Sequence, residues 1–278
     1  MRKNLCRLAA ILACTGASMA QVNAPFHPGC PLPFEEIKVK RKIDKICGAE
    51  GSAADPAGKL QNRMKNNFCV KTTPVELNLA AFRKLQNAAD KRGIWRHPKG
   101  IPSPQWRAKL KNIHNGLGEG DAVSFIGFID AAYDAVTEKG ESVSCDLGGP
   151  AHNDIHLELA ERIGPAPCER VITEISPHFR PKKWTSQRLQ QVRHAKLPIR
   201  VTGHLFWDAS HSPCGQGEPE QWRATTWEIH PVYWVEVCKK PSVKECRNSG
   251  PADWVPLHEW EPGAWVWDNT NEAPVQPD

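Results

Sequence analysis

Two short stretches combine carboxylates and imidazoles at a spacing that could hold a metal ion: Asp154-Ile-His-Leu-Glu-Leu159 and Thr226-Trp-Glu-Ile-His-Pro-Val232. Both alternate polar and apolar residues with a period of two. As strands they put Asp154, His156 and Glu158 on one sheet face and Glu228 and His230 on another. Nitrogen and oxygen donors converging from several strands suit a divalent cation. Asp208 and His211 offer an alternative second half. An open position on such an ion would activate water for hydrolysis, with Arg180 neutralising a phosphate and His178 moving a proton. The competing reading is a solvated sheet face, where histidine beside glutamate makes cross-strand pairs worth ~0.2–1 kcal/mol. The apolar partners Ile155, Leu157 and Ile229 should claim the barrel interior. The polar sets would then point outward on different parts of the surface.

Other chemical signatures are weak. There is no zinc-protease helix motif, no serine-hydrolase elbow and no phosphate-binding loop. Asp208, Ser210 and His211 are too close in sequence for a triad and read as turn contacts after a strand. Gly116, Gly118 and Gly120 precede a strand rather than a helix, which fails the dinucleotide test. No catalytic residue is assigned on these grounds.

The elements that must position the polar stretches lie in a chain with an export-type start. Arg2, Lys3 and Arg7 precede a short apolar run, Leu8–Ala13, and Ser18-Met19-Ala20 offers a small-residue cleavage site. Residues 1–20 therefore read as a signal peptide and the destination as periplasmic or secreted; a lipoprotein signal anchored through Cys14 is the alternative. The apolar run is much shorter than the ~20 residues of a membrane-spanning helix. Of ten cysteines, eight follow residue 20, an even number that reads as a disulfide framework with 105 formal pairings. Cys238 and Cys246 are close enough to close a small loop. Without the three basic leader residues the 36 Lys and Arg become 33 against 31 Asp and Glu, too balanced to indicate nucleic acid by charge alone.

Residues 21–117 form a cysteine-bearing extension with one long helix at 73–92, capped by Thr73, with Pro74 in the first turn, Glu76 completing a capping box and Gly93 ending it. A shorter helix is expected near Lys59–Asn67. From Gly118 the pattern is β: strands at 121–133, 154–159, 171–176, 197–207 and 222–238, with a helix at 186–194 capped by Thr185 or Ser186. The stretch Leu157–Ile163 could instead continue as a helix. Five strands with a helix between the third and fourth is the order of an OB barrel, so the fold class is mainly β: a five-stranded OB-like barrel at 118–238. In that fold the second and third strands, with the loops after the first and fourth, usually carry the ligand. Those loops hold Cys145 and Cys214. The tail, 239–278, is rich in tryptophan and proline.

The runs Glu174-Ile-Ser-Pro-His-Phe-Arg-Pro181, Val201-Thr-Gly-His-Leu-Phe-Trp-Asp208 with Ala209-Ser-His211, and Trp227-Glu-Ile-His-Pro-Val232 resemble those of a group of uncharacterised exported bacterial proteins. The same holds for Gln61-Asn62 with Lys65-Asn-Asn-Phe-Cys69. The resemblance spans about Cys47 to Cys238 and implies export and an OB-like core, with no activity attached. The leading expectation is ligand binding on the OB-like face, with Arg180, Trp184, His204 and Trp207 as ligand-binding residues. The ligand stays open among oligosaccharide, oligonucleotide and protein. A purely structural or protein-interaction module, with the tail as partner surface, is a further class. The alternative is a metal-dependent phosphodiesterase or nuclease, with a divalent ion on Asp154, His156, Glu158, Glu228 and His230.

Overall fold

The computed structural model describes Phe34 and residues 41–69, 73–94, 101–135, 138–215 and 223–263; the expected leader lies outside these. In chain order the elements are α1 (Ile43–Ile46), α2 (Pro56–Lys65), β1 (Val75–Leu77), α3 (Leu79–Lys91), α4 (Pro104–Arg107), β2 (Ala122–Asp134), β3 (Ile155–Ala160), β4 (Val171–Ile175), α5 (Ser186–His194), β5 (Ile199–Trp207), β6 (Trp227–Cys238), α6 (Val243–Arg247) and β7 (Trp254–Pro256).

Strands β2-β3-β4-β6-β5 close on themselves through the β2–β5 pairing, which is the OB order, with the β4–β6 pair parallel. Strand β1 adds parallel to β2, and β7 adds antiparallel to β6. The period-two pattern sets the faces. Ile155, Leu157 and Leu159 of β3, Val171 and Ile175 of β4, and Ile229 of β6 all join the buried core. Burying side chains of this size removes them from water at ~1.5–3 kcal/mol each. At Gly203 the β5–β6 register shifts, and a Cβ there would lie 2.3 Å from the Pro231 carbonyl oxygen, so only glycine fits this crossing.

Helix α5 matches its sequence pattern: the Thr185 hydroxyl accepts from Arg188 N, and Leu189 and Val192 face the core. The expected long helix starts later than Thr73. Val75–Leu77 instead pairs with Val123–Phe125, and the helix begins at Leu79, with the Asn78 side chain accepting from Ala81 N at 2.8 Å. Strand pairing of Val75–Leu77 thus moves the cap five residues on, from Thr73 to Asn78. Gly93, at φ +67°, ends this segment as expected. Helix α2 starts at Pro56 with Asp55 as its cap. The segment after Leu157 stays a strand to Ala160.

Disulfides join Cys47 to Cys145, Cys168 to Cys214, and Cys238 to Cys246, and Cys69 is also disulfide-bonded. The first ties the extension to the loop after β2. The second ties the loop after β5 to that before β4, stiffening both rims of the usual OB ligand face. The three disulfides between described residues fit an oxidising compartment. No helix of the described residues is long and apolar enough to cross a membrane. In the tail, Trp254 and Trp260 are buried; Trp265 and Trp267 lie outside the described residues.

Candidate functional site: a buried acidic centre with histidine on the OB face

The interior-facing residues of β3, β4 and β6 leave His156, Glu174, Glu228 and His230 on the outward face. Strand β4 lies between β3 and β6: His156 stands opposite Glu174, and Thr173 is in register with Ile229. The extension covers this face. Lys65 at the end of α2 and Arg107 of α4 both stack on the outward ring of Phe206, at 5.8 and 5.1 Å. Arg107 is held in turn by Glu119. The outward polar face is therefore shielded from solvent.

Asp154 precedes β3, and its carboxylate comes within 3.7 Å of His230 Nε2. His230 Nδ1 lies 2.6 Å from Glu174 Oε2 and 3.4 Å from Glu228 Oε1. Asp154, Glu174 and His230 each place a donor atom within 4.8 Å of the others, and all three are buried. The 2.6 Å contact between His230 and Glu174 is that of a charge-assisted hydrogen bond, while His230 Nε2, Asp154 Oδ1 and Glu228 Oε1 have no well-directed partner. One imidazole nitrogen and two carboxylate oxygens gathered this closely could also hold one ion: for bonds near 2.1 Å, the ligand atoms of a tetrahedral ion stand ~3.4 Å apart. His156, 3.6 Å from Glu174 and partly exposed, stands at the edge of the group.

The charges do not balance. Asp154, Glu174, Glu228 and Asp208 are four buried carboxylates; the buried guanidinium in contact with them is Arg223, Arg180 acts on Asp154 from farther off, and the nearest lysine is Lys65. Lys65 is shared with Glu141, 3.2 Å away. The negative charge these cations leave over is met by protons or by a dication. Without an ion, protons do so. Burial pushes the Asp154 carboxyl up, reinforced by Glu174. Burial, with Glu174 and Asp208, pushes up Glu228 as well. Burial would lower His230, but Glu174 and Asp154 outweigh it and raise the imidazole to about 10. Glu174 stays well below the usual range despite burial, because His156 and His230 flank it. Burial likewise disfavours the Lys65 ammonium, but Glu141, Glu174 and Asp154 raise it well above normal. Metal-free, His230 is thus an imidazolium between two acids.

A second group leans on the centre. Arg223 bridges Asp208 at 2.8 Å and Glu228 at 2.7 Å. Asp208 also accepts from His211 Nδ1 at 2.5 Å, while 60% of the His211 side chain is exposed. Burial opposes the Asp208 charge, but His211 and Arg223 hold its carboxyl well below the usual range. A chain of contacts thus runs from a solvent-facing imidazole to Glu228 beside His230.

The structure brings Asp154, Glu228 and His230 together, although β3 and β6 are not neighbours, because both reach over Glu174. His156 lies at the edge. Glu158 turns away, 3.2 Å from Arg170, which also holds Asp130. The expectation that the two polar sets separate on the surface fails because the face is covered and β4 is short. Arg180 is buried and donates to the carbonyls of Pro150, Asn153 and Ile175. Trp184, His204 and Trp207 are buried too, so these four brace the interior rather than line a surface. His178 Nδ1 contacts Asp44 at 3.1 Å beneath Phe34. Glu174, Lys65 and Arg223 were not singled out from sequence as members of the group. The strand pattern of Val171–Ile175 put Glu174 outward, and strand order would have placed it between the two polar runs.

No family model, curated protein or solved structure matches the chain. The site is therefore read from its own geometry.

Proposed function

We propose that this is an exported ligand-binding protein whose OB-like face holds a divalent metal ion on Asp154, Glu174 and His230. The observation that carries the reading is the cluster itself: the His230 imidazole, 1% exposed, and the buried carboxylates of Asp154 and Glu174 each place a ligand atom within 4.8 Å of the others. Donors of nitrogen and oxygen without sulfur suit Zn²⁺ or Mn²⁺ rather than a soft ion. Glu228 and His156 stand near enough to complete or orient the set. Export is supported by the basic-then-apolar leader and by the disulfides. Calorimetric titration of chelator-treated, dialysed protein with Zn²⁺ and Mn²⁺ tests the reading. One site per chain, lost in His230→Ala, is expected, with protons released on binding because His230 must lose its proton to ligate. Heat-silent titration with no proton release rejects it.

A hydrolytic reading has one observation in its favour: the exposed His211, oriented by buried Asp208, is a group that could move a proton. It predicts that the metal-loaded protein hydrolyses bis(p-nitrophenyl) phosphate and that His211→Ala stops turnover while keeping the metal. Failure of the loaded protein to turn over removes this reading and leaves metal binding intact.

A further inference from the structure

A second site lies away from the acidic centre, where the end of α5 meets β2 and the turn after β3. There a cavity of about 370 Å³ has an apolar floor of Phe128, Ile129 and Leu197. One wall carries Arg162 and the exposed Ile163; the other carries Arg193, His194 and Lys196. Its acid, Asp130, is already taken by Arg170 at 2.6 Å. Arg162 is braced by Glu169 and by the Gly164 carbonyl. The acid of the mouth and the arginine of the first wall are thus each paired, and the basic groups left to the mouth come from the end of α5.

Cations in the last turn of a helix also suit the helix dipole, which accounts for Arg193 and His194. Arg162 on the opposite wall is ion-paired with Glu169, which leaves Arg193 and Lys196 as the basic groups turned to the cavity without an acidic partner among the described residues. Lys196 follows the α5 C-cap in the left-handed region, at φ +52°, donating to the Arg193 carbonyl. Glycine ordinarily takes that position because a Cβ is disfavoured there. A lysine held in that conformation, like six other non-glycine residues among those described, carries a backbone cost that glycine would relieve, and here its side chain stands at the rim of the cavity.

We infer that this cavity binds a small amphiphilic anion: a carboxylate or phosphate head met by Arg193 and Lys196, with a short apolar body on Phe128, Leu197 and Ile163. A volume of about 370 Å³ is at the small end of ligand pockets. The inference does not rest on the metal centre.

Calorimetric titration of the full disulfide-bonded protein with octanoate, octyl phosphate, octanol and inorganic phosphate tests it. One saturable site for octanoate or octyl phosphate is expected, at least about tenfold tighter than for octanol or inorganic phosphate, as hydrogen bonds to charged groups are worth. The tighter of the two anions names the head group. Lys196→Gly should weaken the anion about tenfold while raising Tm by roughly 2 °C, because it relieves the backbone. Arg193→Gln should weaken the anion without that rise, and His230→Ala should leave anion binding unchanged. Equal binding of octanol and octanoate overturns the inference, as does no saturable binding of either anion. So does a Lys196→Gly protein of raised Tm and unchanged anion affinity.

Discussion

At the scale of single residues, the centre is defined by how its buried charges compensate one another. His230 sits between Glu174 and Asp154, with its shortest contact, 2.6 Å, to Glu174. Removing Glu174 should therefore lower metal-free stability as well as metal affinity, since it leaves the buried His230 imidazolium without its nearest carboxylate. Glu174→Gln keeps shape and removes one charge; it should reduce metal affinity at least tenfold, measured by competition with a chromogenic chelator. The neighbouring Asp208 makes a pH prediction. Its carboxyl is depressed in the folded state by His211 and Arg223, against the opposing effect of burial. A depressed acid adds stability above its unfolded pKa, near ~4, and that stability is lost as pH falls through the folded value. The stability gap between wild type and Asp208→Asn, measured by urea unfolding, should be full at pH 7 and shrink below about pH 4.

Little of the centre could be read residue by residue. Asp154, Glu228 and His230 were visible because they alternate with apolar neighbours. Glu174 was missed because a single glutamate in a five-residue strand carries no local signal; only its place between β3 and β6 gives it meaning. Arg180 and Trp184 were expected to bind ligand because charge and aromaticity are visible in a chain and burial is not. Arg180 is instead spent on three backbone carbonyls.

At the scale of elements, the period-two strands and the α5 helix follow from local pattern, and the ends that moved did so through tertiary pairing. Val75–Leu77 gains hydrogen bonds to β2, so the cap role passes from Thr73 to Asn78. Asn78→Ala should cost about 1 kcal/mol in denaturant unfolding, whereas Thr73→Ala should cost much less. Helix α2 matters for a different reason. It delivers Lys65 to the acidic centre as a tethered counter-cation. Lys65→Met should raise metal affinity by removing that competing charge, while lowering metal-free stability. Unchanged affinity in calorimetry would show that the lysine serves Glu141 alone.

At the scale of the whole molecule, one arrangement explains both the barrel and its cover. The apolar alternation fills the interior, which forces the polar alternation outward, and the extension closes over that outward face. The Cys47–Cys145 bond, 98 residues apart in sequence, fastens the extension to the loop that precedes Asp154. Replacing both cysteines by serine should destabilise the fold by ~2–5 kcal/mol and weaken metal binding together. The barrel order was legible from strand count and helix position. The shielding was not, because it depends on how a cysteine-bearing segment returns across the sheet. The central claim is that this shielded face holds a divalent ion. Elemental analysis of protein purified without chelator measures it most directly: wild type should carry close to one Zn or Mn per chain and Glu174→Gln far less, whereas a metal-free wild type whose Tm no added divalent ion shifts would contradict the claim.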